Sequence, residues 1–107
     1  MKDTSYHDYI LHDIVGGISG ITSRRMFGGW GIYKDGIFFG LIAQNELYFK
    51  VDEKSLPHYK VYESRPFTYK RAGKEVSLSY WLVPEEILED KERLQEWVSD
   101  AVRARRK

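Results

Sequence analysis

Lys34-Asp35-Gly36, set between two apolar runs, constrains this chain more than any other feature. Asp-Gly tolerates the positive φ angles of a two-residue hairpin turn, so the runs on either side are expected to pair antiparallel. The run before the turn reads as a strand from about Arg24 to Tyr33, and the run after it as a strand from Ile37 to Ala43. Gly28, Gly29 and Gly31 lie inside the first of these, so a bulge or bend is expected near its middle. Gln44-Asn45 marks a second turn. Beyond it Leu47, Phe49 and Val51 alternate with Tyr48, Lys50 and Asp52, the period of a half-buried strand. Pro66 to Arg71 reads as a fourth strand, Ala72-Gly73 as its turn, and Val76, Leu78, Tyr80 and Leu82, alternating with Ser77, Ser79 and Trp81, as a fifth.

Helical signals flank these strands. Tyr6, Tyr9, Ile10, Ile14 and Ile18 fall at three- and four-residue steps, which predicts a helix from Ser5 to about Ile18, capped by Asp3, Thr4 or Ser5 and stopped by Gly16-Gly17. Asp52 can cap a short helix from Glu53 to about Tyr62, with Pro57 delaying its true start. Pro84-Glu85-Glu86 opens a last helix whose apolar face is Ile87, Leu88, Leu94, Trp97, Val98, Ala101 and Val102, with Asp90 among the charges on its outer side. The expected fold is α+β in two layers: a mainly antiparallel five-stranded sheet with helices over one face, in the order α-β-β-β-α-β-β-α. At 107 residues the chain reads as a single domain, 1–107, able to bury a core without staples.

Composition excludes several function classes. Cysteine is absent, which removes disulfides, thiolate metal sites and cysteine nucleophiles, and fits a reducing cytoplasm. No run approaches the roughly 18 apolar residues that cross a bilayer, so no membrane partner is expected. Net charge is +1, yet residues 84–102 carry two positive and seven negative charges, and residues 103–107 carry four positive and none negative. Helix-dipole complementarity accounts for that pattern; a basic tail reaching an acidic partner is the alternative.

A search for chemistry returns little. His7 and His12 lie five apart, about 140° around a helix, and His58 is remote from both, so no metal site is expected. Gly17-Ile18-Ser19-Gly20 lacks the spacing of a nucleophile elbow. Gly28-Gly29-Trp30-Gly31 leads into a strand, whereas phosphate-cradling glycines precede a helix. Arg24, Arg25, Lys50, Lys70, Arg71 and Lys74 are interleaved with Phe27, Trp30, Tyr33, Tyr48 and Tyr69. Such a basic and aromatic sheet face can grip a nucleic-acid strand, although most of these aromatics are expected in the core of so small a domain.

The run Ser23-Arg24-Arg25-Met26-Phe27-Gly28-Gly29-Trp30-Gly31-Ile32-Tyr33, then Asp35-Gly36, Phe39-Gly40-Leu41-Ile42 and Leu47-Tyr48-Phe49-Lys50-Val51-Asp52, closely resembles the N-terminal domain of the TfoX (Sxy) competence regulators. Pro66-Phe67-Thr68-Tyr69, Val76-Ser77-Leu78-Ser79-Tyr80, Val83-Pro84-Glu85-Glu86 and the closing Trp97 helix extend the resemblance along nearly the whole chain. It implies a secretion-chaperone-like α+β fold and a bacterial cytoplasmic protein. Better-known members are positive regulators of natural-competence genes and act with the cyclic-AMP receptor protein. It brings no catalytic residue and no cofactor. The family's regulators commonly carry a second, helical C-terminal domain, which this chain is expected to lack, and the segment from Tyr59 to Arg65 lacks a glycine often found before the Pro-Phe strand.

The expectation is therefore a non-enzymatic regulatory domain that binds a protein linked to transcription. Its candidate interaction residues are Arg24, Arg25, Phe27, Gly28 and Gly29 of the matched run, with Lys70 and Arg71 of the fourth strand. Arg24 and Arg25 point to opposite faces of a strand, so at most one can lie on the uncovered side. The alternative is direct nucleic-acid binding through the basic and aromatic face and the Arg103–Lys107 tail. An open face or edge also leaves room for a homodimer.

Overall fold

A computed structural model describes residues 4–26 and 28–106 of the chain. Its strands are β1 (Ile21–Met26), β2 (Gly29–Lys34), β3 (Ile37–Ala43), β4 (Glu46–Lys50), β5 (Pro66–Arg71) and β6 (Lys74–Leu82). They form one sheet in the order β1-β2-β3-β4-β6-β5, with every neighbouring pair antiparallel. The α+β class and the one-sided helical cover agree with the sequence reading. The count is six strands, not five, and the correction falls in the glycine-rich run.

There the single bent strand expected from Arg24 to Tyr33 is a hairpin. Met26 pairs with Gly29, and Gly28 lies between them at φ +77°, a left-handed conformation that costs glycine little and other residues much. The next two reversals follow their sequence signals. Asp35 and Gly36 take φ of 50° and 83°, and Gln44 and Asn45 take 52° and 60°, so both connections have the positive angles of tight hairpin turns. The meander β1-β2-β3-β4 is thus built from local turns alone. Only the crossing through helix α2 (Leu56–Val61) places β6 beside β4 and leaves β5 on the far edge.

The helices differ from expectation at two points. The first ends earlier and changes pitch: α1 (Ser5–Tyr9) runs into a π-helical turn (Ile10–Ile14). The Val15 N–H donates five residues back to the Ile10 carbonyl at 2.9 Å. That wider turn rotates Val15, absent from the 3.6-residue stripe, into the core and leaves Tyr9 exposed. The last helix is broken into α3 (Glu85–Leu88) and α4 (Lys91–Arg106). Asp90 is not an outer-face charge but the start signal of α4: its carboxylate accepts the Arg93 N–H at 3.2 Å.

The main core lies between the sheet and these helices. Ile32, Phe39, Ile42, Leu47 and Phe49 from the strands, with Val51 just past β4, meet Ile10, Val15, Tyr59, Ile87, Leu94, Trp97, Val98 and Ala101. Phe39 and Phe49 are fully buried, with ring centroids 5.5 Å apart.

Candidate functional site: the open face of the sheet

Strand alternation sends every second side chain to the face the helices do not cover. On that face Leu41, Tyr48 and Tyr80 form a second buried cluster, joined by the partly buried Phe38, Ala43, Phe67, Leu78 and Leu82. Tyr48 is only 4% exposed and Tyr80 8%, although no helix lies over them. Their neighbours bury them. Phe38 packs against Tyr33 at 5.4 Å and Tyr80 at 5.3 Å, Tyr48 meets Phe67 edge-on at 5.1 Å, and Phe67 meets Tyr69 at 6.4 Å. Beyond the helical layer the β5–β6 hairpin projects with Tyr69 exposed. Phe67, Tyr69, Arg71 and Leu78 line an open groove of about 580 Å³ there.

In β6 the packing decides which set of residues faces the helices. Val76, Leu78, Tyr80 and Leu82 lie on the open face, and Trp81, grouped by alternation with the serines, faces the helices and packs on the main core. The signal for a two-sided strand was present in β4, where the aromatic Tyr48 stands between Leu47 and Phe49.

Cations rim the face. The Lys50 ammonium lies over the Tyr80 ring at 5.6 Å and hydrogen-bonds the Ser79 hydroxyl; burial, then the Arg105 charge, push it down from its ordinary value. Arg65 donates to both oxygens of Glu46 at 2.8 Å and 2.6 Å and to the Tyr48 hydroxyl at 3.2 Å, and Tyr48 donates to Glu46 at 2.9 Å. The Arg65 hydrogen bonds hold the Glu46 carboxyl below its usual range. Burial first, and then the Glu46 bond, raise the Tyr48 phenol. With Glu46 occupied by Arg65, the open face carries Arg24 on β1, Lys50 on β4 and Arg71 on β5 as cations.

The candidate residues do not come together as one site. Arg24 and Arg71 share the open face but stand on β1 and β5, the two edges, roughly 24 Å apart for five strand spacings. Arg25 and Lys70 point to the other face. Lys70 pairs across the hairpin with Glu75. Arg25 lies 4.8 Å over the Trp30 ring, beside Gly28 and Gly29. Phe27 lies outside the described residues. Arg103 of the basic tail is engaged with Asp100 at 2.9 Å and Asp52 at 3.6 Å. Among the described residues no group of three His, Asp or Glu side chains is placed to hold a metal ion, and no helix is long and apolar enough to cross a membrane.

The geometry defines a class: an α+β domain with one antiparallel sheet, helices packed on one face and an apolar, cation-rimmed face left open. The TfoX N-terminal domain model matches residues 13–105, so the chain belongs to that family. It is also similar to Protein Sxy of Escherichia coli (strain K12), 28% identical over 88 residues that cover 81% of this chain and 42% of the relative. The chain thus spans about two-fifths of the length of that curated relative.

Proposed function

We propose that this domain is a non-enzymatic regulatory module of the competence-regulator kind, acting in the bacterial cytoplasm by binding another protein on its open sheet face. The observation that carries this is a second aromatic cluster outside the helical layer, rimmed by Arg24, Lys50 and Arg71. Apolar surface with a cationic rim suits a protein segment that carries apolar side chains flanked by Asp or Glu. Membership of the TfoX N-terminal domain family supports the regulatory role.

Protein is favoured over nucleic acid by the way the rings lie. Tyr48 and Tyr80 are buried against their neighbours, and Phe38, Phe67 and Tyr69 pack on other rings rather than lying free for bases to stack on. The test is site-specific photocrosslinking in the native cell, with the probe at Tyr69 on the open face or at Val61, 79% exposed on α2. Expected is one transcription-linked protein captured from position 69 and not from 61. The purified pair should then lose at least about tenfold in affinity with Leu78→Arg. Equal capture from both positions, or unchanged affinity of L78R, overturns the reading. So does salt-sensitive binding of single-stranded DNA through the same residues, or self-association through them with no second protein.

A further inference from the structure

We propose that the cavity walled by Arg25, Gly28, Gly29, Trp30, Gln44 and Asn45 binds a single anionic group, a carboxylate or a phosphate, on the Arg25 guanidinium. This site is independent of the open face, because Arg25 projects to the helix side of β1. The cavity holds about 240 Å³ and is also lined by Thr4, His7 and Ile42. That is smaller than the roughly 300–1,000 Å³ of pockets for whole small molecules, and it suits one charged group.

Three observations set the sign and the chemistry. Arg25 is the arginine or lysine that lines the cavity, and the nearest carboxylate, Asp8, is held behind the wall by His7 and Thr4. Arg25 makes no ion pair among the described residues, unlike Arg65 and Arg103, whose carboxylate partners are in place. The guanidinium carbon lies 4.8 Å from the Trp30 ring centroid, a cation–π contact, and a guanidinium can still offer parallel N–H bonds to a carboxylate or phosphate. Gln44 and Asn45, of the β3–β4 turn, also line the cavity.

The stack is itself held in place. His7 lies 3.8 Å from the Trp30 ring at 28°. Its Nε2 is 2.9 Å from the Ser23 hydroxyl and its Nδ1 is 3.0 Å from Asp8. Both ring nitrogens are engaged, so His7 supports Trp30 and leaves the ligand to Arg25. Across the cavity, a Cβ at Gly29 would meet the Ile42 carbonyl oxygen at 2.0 Å, which shows how tightly this hairpin is seated on β3. The specific Arg-Arg-Met-Phe-Gly-Gly-Trp run thus gives one arginine to each face: Arg24 to the open sheet and Arg25 to this cavity.

The test is an NMR titration of the whole chain with sodium phosphate and, separately, sodium acetate, at constant ionic strength set by chloride. Expected are saturable shifts of the Trp30 indole N–H and of the Gly28, Gly29, Gln44 and Asn45 amides. Arg25→Gln should weaken binding at least tenfold and Arg25→Lys severalfold, with Arg24→Gln within twofold of the parent chain. Tighter saturation by phosphate identifies a phosphate source, and equal or tighter saturation by acetate a carboxylate source. Linear, unsaturated shifts with both salts overturn the proposal. So do equal affinities for the parent chain and R25K, or a loss in R24Q as large as in R25Q. R25K retains the charge and loses the planar fork, so it serves as the folded comparison if R25Q is unstable.

Discussion

The two faces of the sheet are built from the same residue types and differ in what lies over them. On the covered face Phe39 and Phe49 are fully buried by helices that also contribute Leu94, Trp97 and Val98. On the open face Tyr48 and Tyr80 are nearly as buried, but by their own strand neighbours. Burial alone therefore does not separate core from contact surface. What separates them is continuity: the covered cluster joins two layers, whereas the open cluster is one layer deep and ends in the half-buried Phe67 and Leu78 and the exposed Tyr69.

The sharpest way to break this distinction is truncation. Phe39→Ala should cost about 3–5 kcal/mol, and Leu78→Ala about 1 kcal/mol, because the first opens a cavity between two layers and the second uncovers a rim. At roughly 4–8 °C per kcal/mol for a domain of this size, the first lowers the melting temperature by tens of degrees and the second by a few, read by thermal circular dichroism. Equal losses would mean that the open face is structural core.

The Glu46–Arg65–Tyr48 network gives a smaller and pH-dependent contrast. Arg65 lowers the folded pKa of Glu46, so the bond's stabilisation is full above the ordinary value of 4.5 and is lost as the pH falls through the folded value. Glu46 and Arg65 are part-exposed, which limits the effect to about 1 kcal/mol or less. In denaturant titrations from pH 7 downwards the gap between Glu46→Gln and the parent chain should therefore narrow as the pH falls. A gap that does not narrow at all with falling pH would assign the network a packing role instead.

The smallest effect at neutral pH lies under the helices. Burial, with Glu85 adding to it, pushes the Tyr6 phenol from 10.0 up to about 12. Its folded pKa is raised, so stability is full below about pH 10 and declines as the pH rises through the folded value. Tyr6→Phe should leave the pH 7 melting temperature unchanged and flatten the alkaline limb between pH 10 and 12. An unaltered alkaline limb would show that Tyr6 ionises freely.

Much of the architecture was legible in local chemistry. Asp35-Gly36, Gln44-Asn45 and Ala72-Gly73 marked three reversals because each must hold a positive φ, and β5 runs from Pro66 to Arg71 as read. The fourth reversal was misread because glycines inside an apolar run signal a bulge and a turn equally well; only the pairing of Met26 with Gly29 separates them. The π-turn at Ile10–Ile14 and the Asp90 break were hidden for a related reason, since one extra residue per turn or one capping carboxylate barely alters an apolar pattern. The candidate site was legible residue by residue and not as a place. Alternation put Arg24 and Arg25 on opposite faces. It could not say that Arg71 stands at the far edge from Arg24, because β5 reaches that edge through pairing with β6.

By itself the sequence determined the strands from β3 onward, three of the four hairpin reversals and their antiparallel sense, because turn geometry and side-chain period are properties of a few adjacent residues. The tertiary structure decided the strand order, which face the helices cover, and that Arg25 rather than Arg24 meets Trp30 and a cavity. Those choices depend on contacts between residues distant in the chain, such as Phe49 with Trp81 and His7 with Trp30, whose free energy no local pattern records.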